Sequence, residues 1–185
     1  MENKKEQSVN IQLPKSNTDD TVDNIFRIHL NEEVVELSNE FCKYYYATDD
    51  SEQDEFFAIV FENNFIPRIN VLEFLSKTPI AGLNNVLAYS IVRLSTTKEE
   101  HLVAIVNSYD TNSTLASQLQ HGQTIKLQEI EKIVESINNI LINLKDEKIF
   151  CCNISPSNIL MKDGTFYGLR EFIDTYPNFH QEEQY

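Results

Sequence analysis

What most constrains the fold of this chain is the order in which its two hydrophobic periodicities occur. Strand-like runs come first. Tyr44-Tyr45-Tyr46-Ala47 reads as a strand closed by the turn-rich run Thr48-Asp49-Asp50-Ser51, and Glu55 to Phe61 is a second, almost continuously apolar strand, so the two predict a hairpin with a longer loop. Val86 to Leu94 and His101 to Val106 form another pair of strands about the polar turn 95–100. Between the pairs, Val71 to Leu75 fits a short helix halted before Pro79. Helical patterns dominate afterwards: Thr114 to Leu119 behind a Ser/Thr cap, then Leu127 to Asp146, where Leu127, Ile130, Ile133, Val134, Ile137, Leu141 and Leu144 recur at three- and four-residue steps. A hairpin, Ile159 to Met161 and Phe166 to Leu169, is expected to turn at Lys162-Asp163-Gly164. Strands grouped early and helices late predict an α+β fold, not alternating β/α units.

The chain divides at 24 and 107: a flexible polar tail (1–24), a β-rich region (25–107) and a helix, loop and hairpin region (108–185). With 29 Asp and Glu against 15 Lys and Arg, the net charge of −14 repels phosphate backbones, so nucleic acid is a poor partner and a basic protein surface a better one. The segment Met1 to Asn24 lacks the apolar run of a secretory signal, and no stretch approaches the ~20 apolar residues of a membrane span, which implies a cytoplasmic protein. Cys42, Cys151 and Cys152 have no C-x-x-C spacing and His29, His101, His121 and His180 are scattered, so no metal site is expected and free thiols are the default. The histidines read as surface or strand-end residues. Acidic clusters such as Asp49-Asp50 lack calcium-loop spacing and read as solvated turns.

One stretch carries chemistry in outline. Phe150-Cys151-Cys152-Asn153-Ile154-Ser155-Pro156-Ser157-Asn158-Ile159-Leu160 has the frame of the protein-kinase catalytic loop, H-R-D-[LI]-K-P-x-N-[IL]-L. Pro156, Asn158, Ile159 and Leu160 keep their places. The histidine position holds Cys151, the aspartate position Asn153 and the lysine position Ser155. On this motif, and on the order of elements around it, the chain resembles the protein kinase-like superfamily over roughly residues 34–185. It resembles most a divergent bacterial pseudokinase branch that has no Gly-rich loop. The resemblance implies a five-stranded antiparallel small-lobe sheet with one helix, followed by a partial helical large lobe ending near the D-F-G equivalent, Leu169-Arg170-Glu171-Phe172-Ile173.

The same resemblance lays Phe57-Ala58-Ile59-Val60 over V-A-I-K, so that Val60 replaces the phosphate-pairing lysine and Glu73 becomes its possible partner. Glu36 to Ala47 overlays the Gly-rich loop, with Leu37, Asn39 and Cys42 in place of its glycines. Kinase chemistry needs an aspartate to accept the substrate proton, a cation on the phosphates and Mg²⁺. Val60, Asn153 and Ser155 supply none of these. The expected function is therefore a catalytically inactive module acting by protein–protein contact or as a scaffold, without a cofactor. An alternative is a divergent phosphotransferase fragment that still binds ATP with Mg²⁺ or Mn²⁺ through Asn158, Glu171 and Glu73. Another is an unrelated α+β interaction domain. Self-association through an apolar face is a further expectation.

Overall fold

The computed structural model describes residues 7–12, 25–51, 55–63, 65, 67–95, 97–149, 154–162 and 164–170. Six antiparallel strands, β1 (Gln7–Gln12), β2 (Ile25–Glu33), β3 (Cys42–Asp49), β4 (Glu55–Phe61), β5 (Val86–Arg93) and β6 (Glu100–Asn107), form one sheet in the order β1-β2-β3-β4-β6-β5. Helix α1 (Ile69–Lys77) separates β4 from β5. Helices α2 (Leu115–Gln120) and α3 (Leu127–Asp146) follow the sheet. They lead through a short 3₁₀ turn, Pro156–Asn158, to the two-stranded hairpin of β7 (Ile159–Lys162) and β8 (Thr165–Leu169). The chain is mixed α+β.

Its large sheet has six strands among the described residues, one more than the kinase-like resemblance implies. The additional strand is β1, which lies in the segment read as a polar tail. Ser8 and Asn10 face solvent while Val9 and Ile11 are buried, a period of two carried by only two apolar residues. β1 pairs with β2 along its whole length and runs beside β5, so the sheet curls almost into a barrel. The barrel interior is built by every strand: Val9 and Ile11, Ile28 and Leu30, Ala47, Ala58 and Val60, Ala88 and Val92, Val103 and Ile105. The three alanines leave room for the branched residues opposite, as a small barrel requires.

The outer face of the sheet packs on the helices. Tyr44, Phe57, Ile59, Phe61, Leu102, Ala104 and Val106 meet Val71, Leu72 and Leu75 of α1 and Ile133, Ile140 and Leu144 of α3 in one cluster. This explains why β4 and β6 read as unbroken apolar runs: both of their faces are covered. Burying each such side chain contributes roughly 1.5–3 kcal/mol. His101, read as a surface or strand-end residue, is the second residue of β6 but is buried, 6% exposed. Its Nδ1 is 3.0 Å from the Phe61 carbonyl.

Two glycines join the sheet half to the hairpin half. The Gly82 carbonyl accepts from Leu169 N–H at 2.8 Å, and the Leu169 carbonyl accepts from Asn84 N–H at 3.0 Å. Gly82 has φ +79, and a Cβ on Gly168 would stand 3.1 Å from the Gly82 oxygen. Gly164 takes φ +76 in the turn between β7 and β8.

Candidate functional site

The segments with a chemical signature gather at one cleft of about 580 Å³, lined among others by Glu36, Leu37, Asn112, Ser117, Ser157 and Arg170. It lies between the β2–β3 connection, the start of α2, the 3₁₀ turn and the end of β8. Thr111 Oγ donates to Glu36 Oε1 at 3.4 Å across it. Arg170, one of the lining residues, donates from Nε to the Tyr109 hydroxyl at 2.7 Å, and the Tyr109 ring meets Phe57 edge-on, with centroids 4.9 Å apart. A chain of contacts therefore runs from β4 through Tyr109 to the end of β8.

The β2–β3 connection, the segment aligned with a Gly-rich loop, spends its amides on itself. Leu37 and Ser38 N–H donate to the Val34 carbonyl at 3.0 and 3.1 Å, and Asn39 N–H to the Cys42 carbonyl at 2.9 Å. Asn39 Oδ1 accepts from Phe41 N–H at 2.8 Å and Cys42 N–H at 3.0 Å, and Ser38 Oγ accepts from Tyr44 N–H at 3.0 Å. The side-chain acceptors at 38 and 39 make this possible: Asn and Ser bond nearby backbone amides and fix a compact turn. An anion cradle needs several of those N–H groups pointing outward.

Val60 is buried inside the barrel with Ala58, on the face of β4 turned away from α1. The β4 residues on the α1 side are Phe57, Ile59 and Phe61. Since successive strand residues alternate faces, a shift of one position exchanges the two sets. The overlay that put Val60 opposite Glu73 is therefore not met, and whichever β4 residue is taken, the helix side offers only apolar groups. Glu73 is half-exposed and pairs along its own helix with Lys77 at 2.6 Å. That hydrogen bond and charge hold the Lys77 ammonium above its ordinary range.

Asn158 is 5% exposed. Its N–H donates to the Ser155 carbonyl at 2.9 Å, and its carbonyl accepts from Arg170 N–H at 3.0 Å. The loop asparagine and the segment aligned with D-F-G are thus adjacent, through backbone. Ser155 is half-buried at the start of the turn. Asn153, Glu171, Cys151, Cys152 and His180 lie outside the described residues. Cys42 is buried, with its Sγ 3.7 Å from Asn39 Oδ1. Among the described residues no cluster of three or more His, Cys, Asp or Glu side chains could hold a metal ion, and no helix is long and apolar enough to cross a membrane.

Sequence reasoning did not link Tyr109 to Arg170, because an isolated aromatic and a cation 61 positions apart carry no local pattern. No family model and no curated protein matches the chain.

Proposed function

We propose that this chain is a kinase-like binding module that transfers no phosphate and works through protein contacts. The observation that carries the proposal is the self-bonded β2–β3 connection, whose amides at Leu37, Ser38, Asn39, Phe41 and Cys42 are all taken within the turn. A γ-phosphate would have to displace those bonds, and β4 presents no lysine to offset the charge. The kinase part of the reading rests on the Pro156/Asn158 frame and on the order of elements: five paired strands from β2 to β6 with α1 inserted, then α2, α3, the loop and the hairpin. Of the residues that would hold ATP with Mg²⁺ or Mn²⁺, Asn158 is buried, Glu73 is paired with Lys77, and Glu171 lies outside the described residues.

The test is a thermal-shift titration with ATP and ADP, with and without Mg²⁺ or Mn²⁺. No shift at millimolar nucleotide is expected. A metal-dependent rise in Tm that disappears in Asn158→Ala or Glu171→Ala would overturn the proposal and restore the nucleotide-binding reading.

A further inference from the structure

Helix α3 carries two apolar stripes, and the core uses one. Ile133, Ile140 and Leu144 are buried, with Ile137 partly buried beside them. A second stripe of Leu127, Ile130, Val134 and Leu141 flanks the first. Leu127 is 70%, Ile130 44% and Val134 61% exposed, while Leu141 is partly exposed and takes no part in the core cluster. Leu127, Val134 and Leu141 recur at strict seven-residue steps, the spacing that keeps a seam turned toward a partner helix. At 1.5 Å per residue the seam is about 21 Å long.

Charge selects the partner. Of the exposed side chains that border the seam, Glu131 lies in its N-terminal half and Lys145 at its C-terminal end. Two antiparallel copies with Val134 of each over Leu141 of the other bring Glu131 within one residue's rise of Lys145 across the pair. The Lys145 stem then covers Ile130. Both contacts occur twice by symmetry, as a self-complementary twofold interface demands. A parallel pair would leave Glu131 fourteen residues, about 21 Å, from Lys145 of the other copy.

We infer that α3 is the dimerisation surface of this protein, joining two copies through an antiparallel seam centred between Val134 and Leu141. The stripe belongs to α3 alone, so the inference stands or falls separately from the kinase-like reading, and its assay contains no nucleotide.

The experiment is sedimentation velocity on the full chain from micromolar to high-micromolar concentration. A monomer–dimer equilibrium is expected. It should be lost in Val134→Glu, weakened in Glu131→Lys and recovered in the double exchange Glu131→Lys/Lys145→Glu, with thermal melting unchanged at concentrations where the parent is monomeric, because all three positions are exposed in the single chain. If Val134→Glu fails to fold, the charge exchange decides alone. A monomer at every concentration would overturn the inference, as would a dimer that ignores the charge exchange.

Discussion

Gly168 shows how much one missing methyl group can matter. A Cβ there would stand 3.1 Å from the Gly82 carbonyl oxygen, a backbone atom held by its hydrogen bond to Leu169. Gly168→Ala should therefore push the hairpin off the α1–β5 connection and cost about 1–3 kcal/mol, the usual range for overpacking. Urea denaturation checks this, and a variant as stable as the parent would show that the two halves are not tightly docked at this point. Glu129 ties the same hairpin to α3, its Oε1 accepting from Phe166 N–H at 2.9 Å, with Lys132 at 3.4 Å from the other oxygen. The Phe166 N–H first, and Lys132 second, hold its carboxyl below the ordinary range. A carboxyl lowered on folding stabilises the native state above its unfolded pKa of about 4.3 and loses that contribution as pH falls through the folded value. The parent should thus be more stable than Glu129→Ala at pH 7. The gap should close in acid below pH ~4, read as Tm against pH for both proteins. A gap independent of pH would remove the carboxylate from the explanation.

At the scale of elements, much of this structure is legible in the sequence. α3, β4 and the turn of the β7–β8 hairpin fall where apolar spacing and Gly164 place them, because long periodic segments and a glycine at positive φ leave few alternatives. β1 is the contrary case. Its two buried residues sit among polar neighbours, and what makes them a strand is the exposed edge of β2, which local pattern does not show. The candidate site divides in the same way. The loop frame around Asn158 can be read along the chain. The facing of Val60 depends on strand register, and the link from Arg170 to Tyr109 depends on packing. The element-scale prediction is that β1 matters to stability although composition assigns it to a tail. Ile11 is fully buried against residues of both edges of the barrel, so Ile11→Ala should cost about 2–4 kcal/mol, whereas Asn10→Ala, on the solvent face, should stay within about 0.5 kcal/mol. Equal effects in chemical denaturation would mean that β1 does not close the barrel. His29 adds a polar strap across the same face, with Nδ1 2.9 Å from Ser8 Oγ on β1 and Nε2 2.9 Å from Asp50 beyond β3.

Across the whole molecule, the arrangement of the two apolar clusters decides how the protein should unfold. The barrel interior belongs to the strands alone, but the outer cluster is shared by the sheet, α1, α3 and the hairpin. Ile140 stands at this junction: it is fully buried on α3, and its Cδ1 lies 3.3 Å from the place a Cβ on Gly82 would occupy. Removing its side chain beyond Cβ would open a cavity against both halves at once, so Ile140→Ala should cost about 3–5 kcal/mol. The sign of cooperation is in how the loss appears. If the sheet and the helical region form one folding unit, far-UV circular dichroism and tyrosine fluorescence will report the same urea midpoint for the parent and the same lower midpoint for the variant. Should the halves be independent, the variant would instead show two midpoints, with the α3 signal lost before that of the sheet. Coincident curves are the expected outcome, because α3 has no interior of its own: its buried side chains are all spent on the sheet, α1 and the hairpin.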